Sequence, residues 1–454
     1  MRHDYLRHTL WFFLCSLMLV FPTKSFAWSN HALGTWQALA EALDEKKTPQ
    51  VRAESLESFL SREAQAIERL LDAEEQWART YVQSYPARPE SLRFQRPGSR
   101  AQFLAALRIN PNAKLPLYLQ IKPNASSAAL ALAEKLPWQE VTTLSHAPSV
   151  EKCAFIQIKE GEKVTPLDVI ASASDEPDYG LDLGLWEDNG TSYGQRYGFG
   201  KEPFGNPALE YATQAPFHIG FFHESPIIFA AAGFLKRTYP EYRIHMYQSL
   251  ADHAFRSGHE YWGWRFAGWA LHYIQDLTQP YHASVLPGLS VSRMLWINAL
   301  DLAGAPTAKR EVITLLSNRH AALENYQYYR MHSAYAMNNE SDELLSAVRQ
   351  TSYERNLAAY TTSAIRQVIS KESHAAADAT DALLEQVLPA KYISDPNYQF
   401  GEAEPNINLF ALIKQSPLVH QQRMSEAVSG LMMNFGVHSR SFVNALYPMT
   451  KSKK

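Results

Sequence analysis

The chain has 454 residues with 43 Lys and Arg against 46 Asp and Glu, a net charge of −3. That length holds one large domain or two smaller ones. The weakly acidic balance excludes a protein whose only task is to hold nucleic acid, which would be basic, and two cysteines exclude a disulfide scaffold.

The first residues read as an export signal. Arg2 and Arg7 precede the apolar run Leu10 to Phe21, which is too short to span a bilayer, and Ser25-Phe26-Ala27 is a small-x-small cleavage site. Cleavage after Ala27 removes Arg2, Arg7, Lys24 and Asp4, leaving 427 residues with 40 basic against 45 acidic, or −5. Cys15 leaves with the signal, so Cys153 has no partner for an intramolecular bridge. The expected product is exported, periplasmic or secreted, and begins at Trp28, with His31 three residues on. A free α-amine and the carbonyl of the same residue chelate one metal ion through a five-membered ring, and His31 is close enough to join them.

Further along, residues 53–84 carry apolar side chains at helical spacing (Leu56, Leu60, Ile67, Leu70, Leu71, Trp77) among dense charge, the pattern of a solvated amphipathic helix. Proline and glycine break it between Ser84 and Gly98. Residues 110–150 are rich in Pro, Ala and Ser, with a strand-like stretch at Leu115 to Ile121. Residues 182–210 read as a long ordered loop whose aromatics (Trp186, Tyr193, Tyr197, Phe199, Phe204) either pack the loop itself or offer a surface for substrate. Helices are expected over 226–238, 240–256, 259–277, 308–331, 339–370, 375–388 and 418–446, so the fold class is all-α. Trp262, Trp264 and Trp269 form a stripe that reads as core packing.

The run His272-x3-Asp276-x5-His282 is the most informative stretch. Residues four apart on a helix share a face, so His272 and Asp276 can grip one ion. Pro280 turns the chain, letting His282 fold back. A second pair at the same spacing follows, His320-x3-Glu324. Imidazole and carboxylate donors suit Zn²⁺. Either pair alone would usually be a surface pair or a satisfied core histidine; the two pairs together with the exposed Trp28 point to a metal centre.

On these residues the chain resembles the zinc-dependent phospholipase C family, whose helical trinuclear zinc site is shared with the fungal single-strand nucleases and 3′-nucleotidases. The elements that carry the likeness are Trp28 with His31, the His272–His282 run with Gln279-Pro280 inside it, and His320-x3-Glu324 followed by Asn325-Tyr326. The resemblance implies three zinc ions. One takes the amine and carbonyl of Trp28, His31 and Asp276. A second takes His272, the bridging Asp276, and an upstream histidine and aspartate. The third takes His282, His320 and Glu324. The aspartate is Asp178, in Glu176-Pro-Asp-Tyr179, with Asp175 the alternative. The histidine is His218 or His223: counting back from Leu250-Ala251 favours His223, and the packing pattern does not exclude His218. Asp178 doubles as the implied general base.

Glu324 leans toward the phospholipase branch, while the three-residue step from Trp28 to His31 is closer to the nucleases. The stretches from Asp178 to the upstream histidine and from His282 to His320 are expansions that build different walls around the metals. The resulting expectation is a phospholipase C that cuts a phospholipid head group by metal-activated water, meeting the membrane surface only transiently and forming no stable nucleic-acid complex. The alternatives are a nuclease or 3′-nucleotidase on the same site and a non-catalytic zinc-binding protein. The domain reading is 28–44 as the N-terminal metal-binding segment, 45–165 as a largely helical insertion that the small family members lack, and 166–454 as the catalytic domain.

Overall fold

The computed structural model describes residues 28, 30–126, 133–205, 210–352, 359–401 and 404–447; the expected signal segment lies outside them. Helix outweighs strand, 59 % to 3 %, which makes the chain all-α. In chain order the principal helices are α1 (His31–Leu39), α2 (Leu56–Tyr81), α3 (Arg100–Leu107), α4 (Pro166–Ser174), α5 (Pro240–Ser257), α6 (Glu260–Asp276), α7 (Val291–Leu302), α8 (Thr307–Ala336), α9 (Glu343–Arg349), α10 (Ser370–Val387) and α11 (Leu418–Leu446). No helix among the described residues is long and apolar enough to cross a membrane.

Helix α6 is the axis. Every residue from Tyr261 to Asp276 is buried, and it packs against α5, α4 and α11. Its aromatics are core: Phe59 of α2 stacks on Trp262 at 5.8 Å, and Phe266 meets Trp269 edge-on at 5.3 Å. Gly268 lets α4 come close. A Cβ there would stand 2.5 Å from the Ala173 Cβ and 2.8 Å from the Ile170 carbonyl oxygen. This approach delivers the end of α4 to His272. Between the same helices, Arg265 and Glu176 form a buried ion pair at 2.8 Å. Losing one partner of such a pair costs about 3–5 kcal/mol.

The 45–165 segment is more mixed than a largely helical insertion. It contributes α2 and α3 and also every strand among the described residues: β1 (Val51–Arg52) pairs antiparallel with β5 (Lys163–Val164), and β2 (Tyr118–Ile121), β4 (Ala154–Gln157) and β3 (Lys135–Leu136) form a three-stranded antiparallel sheet in the order β2-β4-β3. It shares one core with the rest, because Leu56, Phe59, Leu60, Phe103 and Leu107 belong to the same buried cluster as Trp262 and Phe266. The expected helix over 339–370 is not continuous. Helix α9 stops at Arg349, and Gln350 turns to extended backbone; the polar run Gln350-Thr351-Ser352 offers no apolar face to carry a helix across. Helix α7, in the stretch between His282 and His320, was not expected.

Candidate metal centre

Five pieces of chain meet at one buried point. Helix α1 brings His31, capped by Asn30, whose side chain accepts from the Leu33 amide. The turn Pro177–Tyr179 after α4 brings Asp178. The short turn Ala215–His218 brings His218. Helix α6 brings His272 and Asp276 in its last turns, and Pro280, first residue of the next turn, folds His282 back. Helix α8 brings His320 and Glu324.

Their donor atoms fall into three groups that can each hold a metal ion: His31, His272 and Asp276; Asp178, His218 and His272; and His282, His320 and Glu324. Around the second group, His218 Nδ1 lies 2.9 Å from Asp276 Oδ2 and 3.0 Å from His272 Nε2. His272 Nε2 lies 3.3 Å from the same carboxylate oxygen, and Asp178 Oδ1 lies 3.8 Å from both imidazole nitrogens. Donors bound at about 2.0–2.1 Å around one tetrahedral zinc stand roughly 3.3 Å apart, so the spacing fits. The other oxygen of Asp276 faces His31 Nε2 at 3.3 Å and His282 Nδ1 at 3.8 Å. Asp276 therefore meets the first two groups and approaches the third only at His282 Nδ1, the nitrogen that also faces the His218 carbonyl. His320 Nε2 and Glu324 Oε1 are 2.6 Å apart, and the His320 ring meets that of His282 at 5.0 Å.

What makes these side chains look like ligands is how their far sides are held. A metal-binding histidine usually donates its second N–H to an oxygen, which fixes tautomer and ring orientation. His31 Nδ1 donates to Gln275 Oε1 at 2.9 Å, and Gln275 is oriented by its own amide, which donates to Thr35 and Ser439. His272 Nδ1 donates to the Ser174 carbonyl at 2.7 Å, and His282 Nδ1 to the His218 carbonyl at 3.1 Å. His218 Nε2 faces Asp182 Oδ2 at 3.4 Å, and Asp182 is itself fixed by Arg243 at 2.6 Å and by the Tyr273 hydroxyl. Gln279 donates to Glu324 Oε1 at 3.0 Å, and Tyr281 stacks on His320. The buried Nε2 of His31 and Oδ1 of Asp276 make no hydrogen bond although they face each other. A cation between them satisfies both.

The ionisation pattern agrees. Burial pushes the pKa of His272 down and that of His282 to about 4, which keeps both imidazoles neutral with a lone pair to donate. Burial also acts against the charged form of His218, but Asp182 and Asp276 outweigh it and carry the pKa up to about 10. Burial would raise the Asp276 pKa, yet His272, His282 and His218 hold it well below the usual range.

Of the residues singled out from the sequence, His31, Asp178, His218, His272, Asp276, His282, His320 and Glu324 come together. Trp28 is buried beside them, its indole donating to Thr278 Oγ1 at 3.1 Å, two residues beyond Asp276. His223 stands apart, its ring 5.7 Å from that of His374, and belongs to none of the three groups. Asp175 is also turned elsewhere: it accepts from the Ala32 amide and the Tyr179 hydroxyl, and burial raises its pKa to about 6. The aromatics of 182–210 pack inward. Tyr197 is 1 % exposed and donates to the Ile109 carbonyl, and Trp186 packs on Phe199 and Phe217, so none of them is a platform at the metal groups. Asp182, Gln275, Tyr211 and Gln214 are supporting residues that the motif did not reveal, and Gln279, which lies inside the motif, supports Glu324. Asp182 sits four residues after Asp178, a signal that only the fold makes meaningful.

Two cavities open on the groups, with Asp178 on the wall of both. One is small, about 50 Å³, and mostly apolar, lined by Ala212, Ile219, Phe221, Val285 and Leu316 beside His218, His282 and His320. The other, about 530 Å³, is more polar, with Asn30, His146, Lys152, Tyr328, Tyr329 and Asn406 facing Asp178 and Glu324. Asp178 Oδ1 accepts from the Tyr211 hydroxyl and from Gln214 Nε2, each at 3.1 Å. Comparison with family models, with curated proteins and with solved structures finds no match for this chain.

Proposed function

We propose that the chain is an exported zinc-dependent phosphodiesterase, of the phospholipase C type, acting on the phosphodiester of a phospholipid head group. The observation that carries the reading is Asp276, whose two oxygens turn to different donor groups while His31, His272 and His282 are hydrogen-bonded on their far sides and His218 faces Asp182 on its own. By this reading Trp28, His31 and Asp276 hold one ion, Asp178, His218, His272 and Asp276 a second, and His282, His320 and Glu324 a third. Bound ions would neutralise the non-bridging oxygens of a phosphodiester, lower the pKa of water and stabilise the departing alkoxide.

The chain's own groups orient and move protons. Tyr211 and Gln214 hold Oδ1 of Asp178, and Asp178, on the wall of both cavities, is the group to take a proton from the attacking water. Gln279 holds Glu324, and Gln275 holds His31. An apolar wall on one side of Asp178 and a polar cavity on the other suit an amphiphilic substrate with its phosphate between them. The acidic chain offers no electrostatic funnel for a polynucleotide.

One observation favours the nuclease reading: Tyr328 and Tyr329 line the larger cavity, and tyrosines in such a place can stack bases. Zinc-reconstituted protein beginning at Trp28, assayed side by side on phospholipid vesicles, bis(4-nitrophenyl) phosphate and single-stranded DNA, separates the two. Cleavage of the first two supports the proposal. Rapid loss of DNA with intact vesicles replaces it with the nuclease, and a fully metallated protein that cuts none of the three ends the enzymatic reading.

A further inference from the structure

The larger cavity has an outer wall that the metal groups do not require. It is built by His146 and residues 148–153, part of the 45–165 insertion, facing Tyr328 and Tyr329 of α8 together with Phe400, Gly401 and Asn406. Its volume of about 530 Å³ is in the range of small-molecule sites, and its floor carries Asp178 and Glu324 of the metal groups. A ligand whose phosphate sits at the metals would extend its polar end into this space.

Lys152 decides what that end can be. Among the described residues it pairs with no carboxylate; its ammonium donates to the Tyr329 hydroxyl at 3.2 Å and lies over the rings of Tyr328 and Tyr329 at 5.9 and 5.3 Å. The aromatic faces that would cage a quaternary ammonium therefore already hold a cation. Of the acidic side chains on the wall, Glu151 is exposed beside Lys152. Asp175 is turned to the Ala32 amide and Tyr179, and Asp178 and Glu324 belong to groups that cations would neutralise. That leaves Lys152 as the lysine cation on the wall that is free to meet an anionic ligand, with Glu151 beside it the one acid not otherwise engaged.

Building on the metal-centre reading above, we infer that this cavity is the subsite for the group beyond the scissile phosphate, and that Lys152 selects a second anionic group there. That group is a phosphate carried on a head group or on a nucleotide.

Calorimetric titration of the zinc-loaded protein beginning at Trp28 tests this with three probes: inositol 1,4-bisphosphate, thymidine 3′,5′-bisphosphate and phosphocholine. At least one bisphosphate is expected to bind about tenfold tighter than phosphocholine, the size of one charged hydrogen bond. Lys152→Ala should erase that advantage, Lys152→Arg should restore it, and phosphocholine should bind all three proteins alike. A preference for the inositol probe assigns the subsite to a lipid head group, and a preference for the thymidine probe to a nucleotide. Lys152 is exposed, and a thermal melt confirms that each variant is folded. Phosphocholine binding as tight as either bisphosphate, or a preference that Lys152→Ala leaves intact, overturns the inference. Zinc content and bis(4-nitrophenyl) phosphate cleavage, followed in parallel, separate the two claims. A zinc-loaded, active protein with an unchanged preference sinks the subsite alone. A Lys152-dependent preference in a protein that cuts no diester sinks the reaction alone.

Discussion

Two regions of this molecule set histidines against carboxylates, and only one reads as a metal centre. At the seam between α2 and the α5–α6 hairpin, His245 meets Glu74 at 2.6 Å, His253 meets Glu63 at 2.7 Å and His259 meets Glu54 at 2.8 Å. These contacts are as short as those at the cradle. Yet the one acid shared there, Glu63, meets His253 and, at 3.4 Å, His259 through different oxygens, His245 is further occupied by stacking on Trp77 at 3.6 Å, and no three of these side chains converge as a metal-holding group among the described residues. In the cradle the second nitrogens point away to Gln275, the Ser174 carbonyl, the His218 carbonyl and Asp182, so the inner donors face a common point. Proximity alone makes ion pairs; anchoring from behind is what turns them into ligands.

The largest effect should come from the residue that meets the first two groups. Asp276→Asn is expected to lower the zinc content from about three ions per chain to one or none by elemental analysis, the stoichiometry that three closed donor sets imply. Loss of a single ion would break the idea of a shared carboxylate. Next comes an anchor rather than a ligand. Asp182→Asn should weaken metal binding about 10–100-fold in a chelator competition, because His218 loses the charge behind it; unaltered affinity would reduce Asp182 to a mere partner of Arg243.

A half-buried acid with no cationic partner among the described residues is a third case that sharpens the contrast. Among the described residues the Glu202 carboxylate accepts a side-chain hydrogen bond from Asn189, and burial raises its pKa to about 8 from 4.5. A raised carboxyl pKa stabilises the fold below the unfolded value, and the benefit is lost as pH rises through the folded value. Glu202→Gln should therefore melt about 2 °C or more above the parent at pH 9 and show no such gain at pH 4.5. A pH-independent difference would mean that the carboxyl does not titrate there. The smallest change is expected at the seam, where His253→Gln should cost about 0.5–1 kcal/mol in denaturant unfolding and leave zinc content unchanged. A fall in zinc content would erase the distinction between the two regions.

The parts of the cradle that could be read in advance are those with a period. His272 with Asp276 and His320 with Glu324 stand four apart, and helices carry such pairs to one face whatever surrounds them. His282 was legible because Pro280 forces a turn. His218 and His223 could not be separated, since the chain there leaves a four-residue turn for extended backbone at Ile219, and irregular backbone has no period to count. The anchors were hidden for a different reason. Gln275 meets His31 across 244 residues of chain, and the Ser174 carbonyl meets His272 across 98; a backbone carbonyl leaves no trace in side-chain spacing. The β strands were missed where only two residues pair, as in β1 with β5, too few for an alternation to show.

The most direct measurement is zinc-edge anomalous diffraction from crystals of the protein beginning at Trp28, grown with zinc. Three ions per chain are expected: one beside His31 and Asp276, one among Asp178, His218 and His272, and one among His282, His320 and Glu324. An empty cradle, or ions bound at the His253–Glu63 seam instead, would contradict that expectation.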